Sequence, residues 1–178
     1  MNEEVISTRP GLVRRLYDWV LGWADTPYGG PALFVLAFAE SSFFPIPPDV
    51  LLIALAVAAP TRAWRFALIC TAGSVLGGIA GYAIGVWAFP AIGQPLVELY
   101  HGQAVMDKIA ALYAEHGFLG ILIAAITPIP YKVFTISSGF FGYNFWSFVA
   151  ASVVGRAFRF FLVATLIKYF GPAVKVWI

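Results

Sequence analysis

Apolar residues run almost without interruption through four stretches of this chain, and prolines break two of them. The first broken run covers residues 31–59, with Pro45, Pro47 and Pro48 near its middle. Each proline removes an N–H and pushes the residue before it away from helix, so the run divides into two half-helices. Each half has about 12–14 residues and reaches about 20 Å, short of the roughly 30 Å hydrocarbon core. Two readings follow: one kinked span, or a re-entrant hairpin turning at the prolines. The second broken run, 117–141, is split in the same way at Pro128 and Pro130, with Gly139 and Gly142 placed for the exit turn. Two further runs, 66–89 and 145–170, carry no break and are long enough to cross a bilayer.

The remaining stretches are more polar. Residues 1–10 predict a frayed end. Over 11–25, Leu12, Leu16, Trp19 and Trp23 share one stripe, opposite Arg14, Arg15 and Asp18. That pattern predicts an amphipathic helix on a membrane surface, stopped by the proline and glycine cluster at 26–31. Residues 61–65 predict a surface loop anchored by Trp64. Residues 104–116 predict a second surface helix, with Val105, Ile109 and Leu112 opposite Asp107, Lys108 and Glu115. His116, before Gly117, is expected to cap it. Gly171-Pro172 is expected to end the last span.

The order surface helix, broken run, full span therefore occurs twice, over about 11–90 and 103–172 of one membrane domain, 1–178. Pro45-Ile46-Pro47 recurs 83 residues later as Pro128-Ile129-Pro130, and the charged residues Asp49 and Lys132 follow at matching places. Gly73 and Gly155, and Pro90 and Pro172, match at 82 residues. Two anchors at nearly one offset point to an internal repeat. A hairpin returns to its own side and a full span crosses once, so on the hairpin reading the second copy is inverted, a transporter architecture. On that reading Arg9, Arg14, Arg15, Arg62, Arg65, Lys168 and Lys175 fall on one face and Lys108 on the other. The positive-inside rule then places both termini in the cytoplasm. The expected fold is an all-α integral membrane protein. Each copy holds an amphipathic helix, a re-entrant helical hairpin and one full transmembrane helix.

Composition agrees: 61% of the residues are hydrophobic and 11% are charged, against about one quarter charged in a soluble domain. A net charge of +2 without a basic tract argues against nucleic acid. Cys70 is the one cysteine, so no intrachain disulfide forms. No removable signal peptide is expected at the acidic start. Gly73, Gly77, Gly81 and Gly85 recur at every fourth position of the first span. They make a flat track where another helix packs closely or slides.

Against this background Glu40, Asp49, Lys132, Arg156 and Arg159 stand out as charges inside apolar runs. Each costs on the order of 2.5–3.5 kcal/mol at the centre of a span, so they must pair, face water or bind something charged. Arg156 and Arg159 share a helix face near mid-depth. If the hairpin tips meet, Asp49 faces Lys132. The arrangement reads as a wet site with an acidic half, Glu40 and Asp49, able to carry a proton, and a basic half, Lys132, Arg156 and Arg159, able to hold a phosphate-bearing headgroup. The plainer reading is an ion pair that locks the tips. Enzyme signals are thin: His101 and His116 do not form a zinc-type pair, and Ser41, Ser42, Ser137 and Ser138 serve best to satisfy backbone freed at the breaks. No enzyme activity, metal or cofactor is expected.

These residues resemble the DedA family, also called the SNARE-associated or VTT-domain family, and within it the shorter YqaA-like proteins. The resemblance rests on Glu40, the 43–49 element, the 77–85 glycine track and the hairpin from Pro128 to Gly139. It implies two re-entrant hairpins and a role in lipid movement across the inner membrane, as flippase, scramblase or polyprenyl-phosphate carrier linked to the proton gradient. The family's essential acidic positions fall on Glu40 and Asp49. Its two second-hairpin arginines correspond to Ile126 and Lys132, a departure that Arg156 and Arg159 can offset. The leading expectation is a proton-linked lipid translocase whose partners are membrane lipids and protons or another coupling ion. Rivals are a small-ion or small-molecule exporter or antiporter and a non-transporting membrane scaffold. A homo-oligomer stays open.

Overall fold

The computed structural model describes residues 26–42, 47–99 and 103–175. All regular structure among them is helical: α1 (Gly29–Ser42), α2 (Asp49–Ala58), α3 (Ala63–Ala88), α4 (Gln94–Leu99), α5 (Gln103–Ile126), α6 (Tyr131–Phe140) and α7 (Phe145–Lys175). A 3-10 turn, Pro60–Arg62, leads into α3, and a π turn, Phe89–Gly93, follows it. The amphipathic helix expected over 11–25, and Pro45 of the first break, lie outside the described residues.

Proline placement accounts for most of the boundaries. Pro31 falls in the first turn of α1, where a missing N–H costs nothing. Pro48 is the N-cap of α2, and Pro130 the N-cap of α6. Pro90 has no N–H to give the carbonyl four residues back, and the chain widens there. Gln94 N–H then bonds the Phe89 carbonyl, five residues back. Gly142, at φ 65°, makes the turn between α6 and α7.

Three local expectations are corrected. The surface helix over 104–116 and the first arm of the second broken run form one continuous helix, α5. His116 therefore caps nothing; it lies mid-helix and exposed, beside Glu115. Gly117 is small for a different reason: a Cβ there would stand 2.6 Å from the Tyr143 ring. The last helix also runs past Gly171-Pro172 to Lys175, because one proline deletes one intrahelical bond without forcing the following residues out of helix.

Contacts fix the directions of the helices. The α1 positions Gly30, Phe34 and Phe38 lie beside Ile69, Gly73 and Gly77 of α3, so α1 and α3 run the same way. In α6, Tyr131, Thr135 and Ile136 lie beside Gly78, Gly81 and Gly85, so α6 also runs with α3. Gly155 of α7 meets Leu122 and Ala125 of α5, while Tyr143 meets Gly117, so α5 runs with α7. The long helices α3 and α7 are antiparallel: Trp64 bonds Thr165, Ser74 bonds Arg156, and the Tyr82 ring packs against those of Phe145 and Phe148.

The glycine track explains the tight packing. A Cβ on Gly73 would stand 2.5 Å from the Phe34 carbonyl oxygen, and Gly77 is closer still to that of Phe38. Four residues advance a helix by about 400°, so the stripe drifts by about 40° per step. The early glycines therefore meet α1 and Gly85 meets α6. The expected flat track is real, but two helices share it. Gly139, expected to aid the exit turn, instead lets α6 approach the Tyr82 carbonyl.

Two apolar clusters flank a polar layer. One joins Leu33, Leu36, Leu52, Leu55, Ala67, Cys70, Phe160 and Ala164. The other joins Ile121, Ala125, Tyr131, Phe148 and Ala151. Between them, along both long helices, lie the buried Ser74 and Arg156. Pro60–Ile92 and Phe145–Phe170 are long and apolar enough to cross a membrane. Their outward faces expose Leu68, Leu76, Ile84 and Trp87 on one helix and Val154, Phe158, Leu162 and Phe170 on the other. A patch of that extent suits lipid rather than water.

Candidate functional site

The site forms where both broken runs reach the α3–α7 crossing. At the end of α1, Ser42 Oγ donates to the Phe38 carbonyl at 2.8 Å or the Gly77 carbonyl at 2.9 Å, tying the last turn to α3. Ser41 Oγ is 2.7 Å from Ser74 Oγ. Thr135 Oγ1 of α6 donates toward the Lys132 carbonyl at 3.0 Å and reaches the Ser41 carbonyl at 3.3 Å. The Ser41 carbonyl, which the end of α1 leaves open, is thus reached by the Thr135 hydroxyl, while the Ser42 hydroxyl bonds backbone, as expected.

Arg156 is the centre. Its Nη2 donates to Glu40 Oε2 at 2.7 Å and to Ser41 Oγ at 3.2 Å, and its Nε donates to Ser74 Oγ. Its Cζ lies 4.6 Å from the Tyr131 ring centroid and 4.9 Å from that of Phe160. The side chain is 4% exposed. A guanidinium suits this place because it spreads its charge, presents a flat face to rings and hydrogen-bonds at its edge.

Arg159, one turn on, holds Asp49 with a fork: Nη2 to Oδ2 at 2.7 Å and Nε to Oδ1 at 3.4 Å. Its Nη1 donates to the Thr127 carbonyl at 2.7 Å and reaches that of Ile126 at 3.4 Å. Those carbonyls sit at the second break, where Pro128 and Pro130 offer no N–H. One side chain therefore bridges the carboxylate that follows the first break and the bare backbone of the second. The Arg159 and Asp49 side chains are 21% and 19% exposed.

The structure brings Glu40, Asp49, Arg156 and Arg159 together as two ion pairs. Sequence reasoning paired Asp49 with Lys132; the fork on Asp49 comes from Arg159. The reason is helical geometry: α7 presents 156 and 159 on one face, toward the ends of α1 and α2. Lys132 lies half-buried in the first turn of α6. Pro47, Pro128 and Pro130 are exposed and Pro48 is buried. Ser74, Tyr131 and Thr135 were missed. Ser74 was findable: it is the residue 82 places before Arg156, the offset that relates Gly73 to Gly155. Among the described residues no group of His, Cys, Asp and Glu is placed to hold a metal ion.

The sequence that builds this site has known relatives. The family model of the VTT domain matches residues 46–169, which hold Asp49, Lys132, Arg156 and Arg159 but not Glu40. An uncharacterised protein of Haemophilus influenzae is 37% identical over 156 residues, covering 88% of this chain and 81% of the relative. A Histophilus somni protein, named as a homologue of an uncharacterised protein, is 35% identical over the same shares. An uncharacterised Methanocaldococcus jannaschii protein is 26% identical over 133 residues, 74% of this chain and 79% of that one. No solved structure matches the chain. The chain belongs to the VTT-domain, or DedA, family of membrane proteins.

Proposed function

We propose that this protein is a transporter that moves a phosphate-bearing anionic lipid, or a polyprenyl phosphate, across the cytoplasmic membrane with linked proton movement. The observation that carries the reading is the pair of arginine–carboxylate bridges at the meeting of the two breaks. Static bridges of this kind add little stability at membrane depth, because desolvating both partners costs about what their attraction returns. A site that must release one anion and accept another has a use for them. Guanidinium binds phosphate with the same fork it uses for carboxylate. A carboxylate that loses its arginine in a low-dielectric setting takes up a proton. Exchange of the lipid anion for a carboxylate of the site then couples lipid to proton.

The architecture we propose for this work is an inverted repeat with two re-entrant hairpins, α1–α2 and α5–α6. Parallel α1 and α3, joined through α2, support the first. The antiparallel long helices, touching at Ser74 and Arg156, support a two-fold axis through that contact. Both termini lie in the cytoplasm on this reading. Cysteines introduced at Tyr28 and at Thr61, with Cys70→Ala, should label from one face of the membrane; labelling from opposite faces would end the hairpin reading. For function, the test is a lipid-movement assay in proteoliposomes with and without a pH gradient. Movement of an anionic lipid, faster with the gradient and independent of it in Asp49→Asn, is expected. No movement of any anionic lipid would end the transport reading for lipids and leave a scaffold or an ion exporter.

A further inference from the structure

The two arginines of this site differ in a way that assigns them different work. Arg156 is enclosed: two rings lie against it, and three acceptors on α1 and α3 take its N–H groups. Moving it would take one hydrogen bond from each of the buried hydroxyls of Ser41 and Ser74 and leave Glu40 without its cation. Unmade bonds of that kind are costly. Arg159 is about five times more exposed, at 21% against 4%. Its bonds also divide by edge. Nη1 is held by backbone carbonyls of residues 126 and 127, which stay whether or not a ligand is present. Nε and Nη2 hold Asp49, an acidic side chain that another anion can replace. The guanidinium is therefore fixed in orientation by one edge and offers the other. Asp49 is also the first residue of α2, and the N-terminal turn of a helix favours an anion there, whether the carboxylate or its replacement.

We propose that Arg159 is the exchangeable phosphate-binding group, that Asp49 is the anion it holds at rest, and that Arg156 with Glu40 is a fixed anchor that binds no substrate. This rests on the reading of the site as one for phosphate-bearing anions. The shared chemistry is a phosphate group with two free oxygens, from a lipid headgroup or from free phosphate.

The test uses the full chain in nanodiscs of phosphatidylcholine. Short-chain phosphatidic acid and, separately, inorganic phosphate are titrated, with thermal stabilisation read as binding. Removing a resident competitor tightens binding, so Asp49→Asn should bind short-chain phosphatidic acid about tenfold more tightly than the unaltered chain, the low end of what close charge pairs contribute. Arg159→Lys keeps the charge but loses the fork, and should bind about tenfold more weakly while melting near the parent temperature. Arg156→Lys should melt well below the parent, with its affinity unchanged at temperatures where it is folded. Asp49→Asn binding no more tightly, or Arg156→Lys weakening binding as much as Arg159→Lys, would overturn the assignment even if lipid is moved. Equal affinity for inorganic phosphate and phosphatidic acid would keep Arg159 as the binding group and overturn the lipid as its source. Binding of neither probe by the unaltered chain would overturn both.

Discussion

The two long helices occupy matching places in the chain and do opposite jobs. α3 carries glycine at 73, 77, 81 and 85, and from 66 to 89 it has no charged residue. It works by absence, letting the backbones of α1 and α6 come against its own. α7 has a single close-packed glycine at the matching level, Gly155, and next to it places Arg156 and then Arg159. It works by reach, sending two guanidiniums to carboxylates on α1 and α2. The comparison shows that holding the broken runs and charging them are separated between helices. A helix face smooth enough for backbone contact has no room for an arginine, and a face bearing arginines cannot be approached that closely.

Four changes, one with a rescue and one with a control, would break or sharpen this division. The largest effect is expected from Arg156→Ala, which leaves the largely covered Glu40 without its cation and should cost about 3–5 kcal/mol, read by denaturant unfolding in mixed micelles. The double change Glu40→Leu with Arg156→Met should recover most of that stability; if it does not, the anchor acts through more than charge. Next comes Gly77→Ala on the smooth helix. Its Cβ would meet the Phe38 carbonyl, and an overpacked position costs about 1–3 kcal/mol. Gly120→Ala is the matched control, since its Cβ meets only the edge of Phe134 at 3.6 Å and the fold should not respond. Ser74→Ala, where the two helices touch, should cost about 1–3 kcal/mol by taking a hydrogen bond from Arg156 and one from Ser41. Apart from the control, the smallest effect is expected from Trp64→Ala. It removes the ring 4.0 Å from Lys168 Nζ and should shift stability by less than about 1 kcal/mol. An effect at Trp64 as large as at Gly77 would mean that the ends of the long helices, not their crossing, hold the fold.

Much of this was legible in residue order, and for a physical reason. Two breaks and two spans follow from where prolines and charges fall in apolar runs, because a proline acts on its own turn of backbone whatever surrounds it. The glycine track follows from spacing alone. The same holds for the costs that single out Glu40, Asp49, Arg156 and Arg159, since burying a charge is costly in any apolar setting.

What spacing could not supply was partners. Asp49 was matched with Lys132 because both follow Pro-Ile-Pro; spacing gave no sign that the arginine one turn beyond Arg156 forks onto it, since pairing depends on which faces meet across 110 residues of chain. Nor could spacing show that Gly117 makes room for Tyr143 rather than ending a helix, or that Arg159 reaches the carbonyls of a break 32 residues earlier. Local sequence determined which groups need satisfying. The packing of α1, α3, α6 and α7 around one crossing decided which groups satisfy them, because a hydrogen bond or an ion pair exists only at the distance that the whole fold sets.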